Sequence, residues 1–104
     1  MAYTYIWEYR VRADREPDFR REYGPDGAWV KLFRQAPGYV STQLYRDRDD
    51  PLRFLTVDTW ESEAAHQEFR RRFADAFATL DAACEALTLR ETPLGHFDGI
   101  GAIW

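Results

Sequence analysis

Apolar and polar side chains alternate in three segments of the chain. The first, Tyr3 to Arg12, places five aromatic or aliphatic side chains on one face and mainly polar ones on the other. A period of two with many aromatic residues is typical of a β-strand. Two further strands are predicted over Tyr39 to Arg46 and Arg53 to Trp60. The polar run from Asp47 to Pro51 between them predicts a hairpin turn.

Helical periodicity replaces this alternation between the strands. A helix is predicted from about Glu16, and Gly24-Pro25-Asp26-Gly27 ends it. A second short apolar face follows around Trp29, Leu32 and Phe33, before Pro37-Gly38.

Ser62 is a good N-cap for the next helix. Its apolar side chains recur at steps of three and four, at Ala65, Phe69, Phe73, Phe77, Leu80, Cys84 and Leu87. Unbroken, this helix would be about 37 Å long, whereas the strands span only about 27 Å. We therefore predict a break near Arg72–Asp75.

A fourth strand is predicted over Leu87 to Glu91, with a continuation past Pro93 to Phe97. The order β-α-β-β-α-β predicts the α+β class. The expected architecture is a ferredoxin-like, four-stranded antiparallel sheet with helices on one face. With 104 residues the chain is expected to form a single domain, residues 1–104.

The third strand is apolar on both faces, because Leu55 and Val57 alternate with Phe54 and Trp60. Helices on one side leave the other face of the sheet open. We expect a homodimer that buries this face, with an interface of more than about 1,000 Å². The terminal Ile103-Trp104 is expected to dock on the partner subunit, since an apolar end is costly to leave in water.

Composition narrows the classes of function. The formal net charge of -4 disfavours a nucleic-acid partner. No apolar run approaches the roughly 20 residues of a membrane helix, and no secretory signal is visible, so a soluble cytoplasmic protein is expected. Cys84 is the only cysteine, which rules out an intrachain disulfide. Histidines far apart, without ligand spacing, give little reason to expect a metal.

Three short motifs carry a family resemblance that covers essentially the whole chain. They are Trp60-Glu-Ser-x-x-Ala65-His66-x-x-Phe69, Pro37-Gly38-Tyr39 and Leu94-Gly95-His96-Phe97. The chain resembles the antibiotic biosynthesis monooxygenase (ABM) domain family. The resemblance implies a dimeric α+β barrel, in which two ferredoxin-like sheets face one another. It also implies one of several chemistries. These include cofactor-independent oxidation of phenolic polyketides to quinones, and haem degradation.

The chain departs from that family pattern because it contains no asparagine. The strand asparagine of haem-degrading members would fall near Glu8 or Tyr9, and their helix histidine near Thr79. Haem degradation is therefore disfavoured, and no cofactor is expected. The expectation of quinone formation is also weakened, since the resemblance implies that this chemistry uses a Trp–Asn–Tyr arrangement.

Trp60 and His66 are the candidate catalytic residues. Trp60 could stack on a flat substrate or simply fill the core. His66 could take a proton from a phenol, with the helix N-terminus keeping it neutral, or lie half-exposed on the helix surface. Asp58 could serve as a base if it lines a cavity, but pairing with Arg53 or Arg70 is favoured.

The remaining candidates are predicted to bind substrate. Tyr5, Tyr9 and Tyr45 could offer hydroxyl groups to a cavity or only pack. Phe69 follows Trp60 in the family motif, and Arg70 could reach an anionic ligand or form part of a solvated basic run.

These residues lead to a hypothesis of a cofactor-independent monooxygenase, or related tailoring enzyme, acting on an aromatic or polyketide-like small molecule. The alternatives are a non-catalytic dimer that binds a small ligand or assists another enzyme, and a dimer whose pocket has collapsed. A cavity beside Trp60 distinguishes the first two from the third.

Overall fold

The computed structural model describes residues 2–101, so the predicted docking of Ile103-Trp104 lies outside the described residues. The strands are β1 (Ala2–Val11), β2 (Tyr39–Arg46), β3 (Arg53–Trp60) and β4 (Thr88–Gly99). The helices are α1 (Glu16–Tyr23), α2 (Ala28–Phe33), α3 (Glu63–Arg72) and α4 (Ala74–Cys84), with short 3-10 turns at Ala13–Arg15 and Glu85–Leu87. The predicted β-α-β-β-α-β order is confirmed.

The four strands form one antiparallel sheet in the order β2-β3-β1-β4. The central strands β1 and β3 are paired from Tyr3 opposite Trp60 to Arg10 opposite Arg53. Strand β4 runs beyond its predicted first segment to Gly99, along the whole of β1. It passes Pro93 through a register irregularity near Gly95, where φ is +139°.

The core lies between the sheet and the helices. Phe19 of α1 stacks on Tyr23 and contacts Phe54 of β3, with ring centroids 4.3 and 5.0 Å apart. On the other side of the core, Phe69 of α3 packs against Trp60 at 5.0 Å. Burial of these large rings away from water supplies the main force that holds helices on this face of the sheet.

The predicted helix break is confirmed. Helix α3 ends at Arg72 and α4 begins at Ala74, with Phe73 between them at φ -110° and ψ 26°. The N-terminus of α3 is capped as expected, because the Ser62 hydroxyl accepts a hydrogen bond from the amide of Ala65 at 3.1 Å. The break lets both helices follow the sheet.

A β-bulge in β2 changes the faces of its side chains. Tyr39 lies opposite Trp60 and Ser41 lies opposite Thr59, so Val40 is the extra residue. Strict alternation would place Tyr39 and Tyr45 on one face. Because of the bulge, Tyr39 faces the helices. Tyr45 pairs with Leu55 on the other face, where it is 51% exposed.

Gly38 is where the chain enters β2 in contact with α3. Its φ is +90°, and a Cβ atom placed there would lie 2.6 Å from the Cβ of Ala65. Gly38→Ala is therefore expected to lower the free energy of unfolding by about 2–4 kcal/mol, through backbone strain and forced movement of α3. Urea denaturation of both proteins measures this change. Gly101→Ala is the matched control, since no atom of residues 2–101 would lie within 4 Å of a Cβ placed at Gly101. Equal losses in the two variants would contradict the prediction.

The open face of the sheet combines apolar and ion-paired side chains. Its apolar members include Ile6, Leu55, Val57, Tyr45 and Phe97, of which Phe97 is 49% exposed. Arg53 lies on this face and donates to Glu8 at 2.7 Å and to Asp47 at 3.0 Å. These contacts explain why Arg53 is unavailable to Asp58, which points to the opposite side of β3.

Candidate active site

A cavity of about 280 Å³ lies between the sheet and the helices, beside Trp60. Its lining is mainly aromatic, with a few polar side chains, a composition typical of small-molecule sites. The lining residues are Tyr5, Trp7, Tyr9, Tyr23, Trp29, Phe33, Thr42, Thr56, Asp58, Trp60, His66, Arg70, Phe77, Asp81 and Glu91. The pocket has therefore not collapsed, which removes the third sequence-based alternative.

Asp58 places a carboxylate beside the aromatic rings of this cavity. The Thr42 hydroxyl donates to Asp58 Oδ1 at 2.6 Å, and the Tyr39 hydroxyl donates to Thr42 Oγ1 at 2.8 Å. Burial raises the pKa of Asp58 to about 6, against the opposing effect of the Thr42 hydrogen bond. A carboxylate with this pKa is ionised at neutral pH and is a stronger base than an ordinary aspartate.

The favoured pairing of Asp58 with arginine is wrong. Among residues 2–101, neither Arg53 nor Arg70 lies within ion-pair distance of Asp58. The partner is the Thr42 hydroxyl. The reason is that Arg53 belongs to the open face, and Arg70 is held over the ring of Phe77.

His66 lies on the first turns of α3 and faces the cavity. Its ring packs among aromatic rings, 5.4 Å from Trp60, 5.5 Å from Tyr3 and 5.7 Å from Tyr5. Burial, followed by the positive charges of Arg70 and His96, lowers the pKa of His66 to about 4. The expected neutral imidazole is thus present, with burial as the leading cause. Its low pKa makes it a weak proton acceptor.

Trp60 is both a core residue and a cavity wall. It is 1% exposed, and its ring contacts Phe69, Tyr39 and Phe33 at 5.0, 5.4 and 5.8 Å. Phe69 is equally buried but lies behind Trp60, outside the cavity lining in the described part of the chain. Phe69 therefore acts on the site through the position of Trp60.

The three candidate tyrosines lie in different environments. Tyr5 lines the cavity and stacks on Trp7, with centroids 5.9 Å apart and an interplanar angle of 16°. Tyr9 also lines it, but its buried hydroxyl is hydrogen-bonded to Thr56 Oγ1 at 2.9 Å, and burial raises its pKa. Tyr45 pairs with Leu55 on the open face, away from the other candidates.

Arg70 provides a cation at the edge of the cavity. Its guanidinium carbon is 4.0 Å from the centroid of Phe77, a cation–π contact that orients the side chain. Within residues 2–101 no carboxylate forms an ion pair with it. Asp81 and Glu91 also line the cavity, and partial burial with the charge of Asp81 raises the pKa of Glu91.

Sequence reasoning did not single out Thr42, Trp7 or the acidic side chains of α4 and β4. The face of Thr42 follows from the register of β2 against β3, which no sequence signal marked. Trp7 shares the alternating face of Tyr5 and Tyr9, so the periodicity of β1 could have added it to the candidates.

The fold and its cavity define a class, a ferredoxin-like α+β domain with an aromatic pocket between sheet and helices. A family model described as antibiotic biosynthesis monooxygenase matches residues 2–83. The chain therefore belongs to the antibiotic biosynthesis monooxygenase family. No curated protein matches the chain in a sequence search.

Solved structures with the same fold include several proteins from this family. SnoaB of Streptomyces nogalater, a cofactor-independent oxygenase, is 24% identical, with a TM-score of 0.71 over 98% of this chain and 96% of that one. A Bordetella bronchiseptica protein assigned to the antibiotic biosynthesis monooxygenases is 20% identical, with a TM-score of 0.73 over 95% of this chain and 97% of that one. A Deinococcus radiodurans protein with the same assignment is 16% identical, with a TM-score of 0.73 over 99% and 96%. At these identities the similarity establishes the fold.

Within residues 2–101, every helix is too short or too polar to cross a membrane.

Proposed function

We propose that the protein is a cofactor-independent monooxygenase that oxidises a phenolic aromatic small molecule in the cavity beside Trp60. The observation that carries the proposal is the ionisable carboxylate of Asp58 beside the aromatic walls of the cavity. Membership of the family and the similarity to SnoaB, a cofactor-independent oxygenase, support it. The cavity volume of about 280 Å³ suits a flat molecule of two or three fused rings.

Asp58 is proposed as the base, in place of His66. At neutral pH both groups are unprotonated, but the conjugate acid of Asp58 has a pKa near 6 and that of His66 near 4. The Brønsted relation makes the group with the higher pKa the better proton acceptor. His66 is then a neutral hydrogen-bonding and stacking partner, next to Trp60.

The reaction uses dioxygen as its only oxidant. Asp58 accepts the hydroxyl proton of an anthrone in its enol form, and the electron-rich anion transfers one electron to dioxygen. The resulting radical and superoxide form a carbon–oxygen bond, the peroxide takes up a proton, and loss of water leaves a quinone. One anthrone and one dioxygen thus give one quinone and one water. A bound substrate between the aromatic walls would be shielded from water, which favours this chemistry at the anion.

The other candidates have binding roles in this proposal. Trp60 and the stacked pair Tyr5 and Trp7 form walls for a flat ring system. Arg70 is proposed to attract an anionic substituent at the cavity edge. The hydroxyl of Tyr9 is already bonded to Thr56, so its ring contributes mainly shape.

Oxygen uptake with a panel of anthrones and hydroquinones tests the proposal. A rate well above buffer in the wild type, lost in Asp58→Asn and kept in Tyr45→Phe, supports it. Rates equal to buffer for every substrate count against it.

A non-catalytic ligand-binding or accessory dimer is the second candidate. The absence of asparagine from the chain favours it. A ligand that remains bound through purification, without oxygen uptake or product, would support this function over catalysis.

We also propose a homodimer, formed by the open face of the sheet. Val57 lies on that face, between Ile6 and Gln43 on the adjacent strands. Val57→Asp would place a charge in the interface without a partner, so a monomer is expected where the wild type gives a dimer mass. Light scattering at micromolar concentration measures the molecular mass of the wild type and of the variant.

Ala64→Asp is the matched control, since Ala64 is exposed on α3. A monomer mass for the wild type would contradict the dimer. The cytoplasmic location stays a prediction from the sequence.

A further inference from the structure

Two hydroxyl groups connect Asp58 to the edge strand of the sheet. Strand β2 presents Thr42 opposite Asp58 of β3, and Tyr39 precedes Thr42 by three residues. The distances are 2.8 Å from the Tyr39 hydroxyl to Thr42 Oγ1 and 2.6 Å from Thr42 Oγ1 to Asp58 Oδ1. Each hydroxyl donates in the same direction, toward the carboxylate.

We propose that Thr42 and Tyr39 are positioning residues that orient the Asp58 carboxylate in the cavity and keep it ready to accept a proton. This inference rests on the proposed function for its role in catalysis. The hydrogen-bond chain itself is independent of any substrate.

The physical argument begins with the single hydrogen bond from Thr42. A carboxylate has two oxygens that accept hydrogen bonds, and Oδ1 is occupied by the Thr42 hydroxyl. Oδ2 has no hydrogen bond from residues 2–101 and is free to meet a ligand. Because a bond to an ionised acceptor is stronger than one between neutral groups, the Thr42 hydroxyl favours the ionised form of Asp58.

The Tyr39 hydroxyl further favours the ionised form of Asp58. A hydroxyl that accepts one hydrogen bond becomes a better donor, so Tyr39 strengthens the bond from Thr42 to Asp58. The Tyr39 ring is held by Trp60 and Phe33, with centroids 5.4 and 5.6 Å away. The hydrogen-bond relay, Tyr39 to Thr42 to Asp58, therefore begins at a side chain that the core holds in place. It exists only because the bulge at Val40 turns Tyr39 and Thr42 to the same side.

Other titratable groups face the same cavity and set its electrostatic background. From β1 these are Tyr5 and Tyr9, from α1 Tyr23, from α3 His66 and Arg70, from α4 Asp81, and from β4 Glu91. None of these groups donates a hydrogen bond to Asp58 among the described residues. The Thr42 contact is thus the specific interaction that a substitution can remove while this background stays in place.

Nuclear magnetic resonance titration of the Asp58 carboxyl carbon, in protein labelled with ¹³C-aspartate, tests the relay without any substrate. The wild-type midpoint is expected near pH 6. Thr42→Val keeps the shape but removes the hydroxyl, and should raise the midpoint by roughly one to two pH units. Thr42→Ser should restore a value close to wild type. A Thr42→Val midpoint equal to the wild-type midpoint would overturn the proposal.

Titration of the Tyr39→Phe variant is a second, independent test. This substitution should raise the midpoint in the same direction by a smaller amount, whereas Tyr45→Phe on the open face of the same strand should leave it unchanged. Should Thr42→Val fail to fold, this pair decides: equal midpoints for Tyr39→Phe and Tyr45→Phe would overturn the relay.

Kinetics separate this inference from the proposed function. With a substrate that is turned over, Thr42→Val should lower kcat at pH 7 at an unchanged KM, and raising the pH should recover part of the loss. A merely structural role would give a loss that pH does not recover. A shifted titration without oxygen uptake would support the relay and reject the oxygenase. Oxygen uptake with an unshifted titration would support the oxygenase and reject the positioning role of Thr42 and Tyr39.

Discussion

Asp58→Asn is expected to lower kcat by about 10²–10⁴-fold, the usual contribution of a general base, with little change in KM. The asparagine keeps the shape of the side chain and an oxygen that accepts the Thr42 hydrogen bond, but it cannot accept a proton near neutral pH. Oxygen uptake with an anthrone substrate measures the loss. Tyr45→Phe is the control because Tyr45 lies outside the cavity, on the open face of the sheet.

The pH profile of the wild type identifies which group is the base. If Asp58 acts, kcat/KM rises about tenfold per pH unit below pH 6 and reaches a plateau above it, because the carboxyl must lose its proton first. If His66 acts, the rise is centred near pH 4. A plateau already complete at pH 5 would exclude Asp58.

Asp58→Asn should also make the protein more stable above pH 6. The folded state raises the pKa of Asp58 from 3.8 to about 6. A group with a raised pKa contributes stability below its unfolded pKa, and this contribution is lost as the pH rises through the folded value. At pH 8 the variant, which stays neutral, is therefore expected to gain about 1–3 kcal/mol in unfolding free energy. At pH 3, where Asp58 is protonated, the two proteins should be similar.

Trp60→Ala is expected to have the largest effect on stability, a loss of about 3–5 kcal/mol in the free energy of unfolding. Its ring is 1% exposed, and Phe69, Tyr39 and Phe33 surround it, so its removal leaves a void that these rings cannot fill. Urea denaturation at one fixed protein concentration measures the loss, since unfolding of the proposed dimer would depend on concentration.

Trp7→Ala is the matched control for this prediction. It removes the same atoms from a half-buried wall of the cavity, where the ring stacks on Tyr5 and less area leaves water on folding. A smaller loss is expected, roughly half that of Trp60→Ala. Equal losses would show that Trp60 is not the centre of this part of the core.

Much of the fold followed from local pattern. Alternating aromatic residues predicted β1, and the Ser62 cap with an apolar stripe predicted the helical segment that α3 and α4 form. The break before Ala74 was predicted from the length of that segment, which exceeds the span of the strands. Periodicity, capping and element length can all be read from one sequence. The cavity beside Trp60 was left open by the sequence, because the same rings could have filled the space.

The partners inside the site were harder to predict. Asp58 was expected to pair with an arginine because a buried carboxylate needs a compensating group, and charge was the only signal in the sequence. The structure satisfies that need with the neutral hydroxyl of Thr42, 16 residues away. A hydroxyl on a strand has no distinctive pattern of its own, so nothing marked Thr42 in advance.

The sequence by itself determined the order of elements, the helix break and the apolar character of both faces of β3. The order and the faces depend on periodicity and short-range steric preferences, and the break depends on the length of the helical segment against that of the strands. Only the tertiary structure decided which side chains share the cavity. A single extra residue at Val40 reverses the alternation at the start of β2. It turns Tyr39 to the same face as Thr42 and Asp58, whereas Tyr45, beyond the bulge, lies on the open face. The position of such a bulge depends on how two strands align in space, and that alignment is a property of the folded sheet.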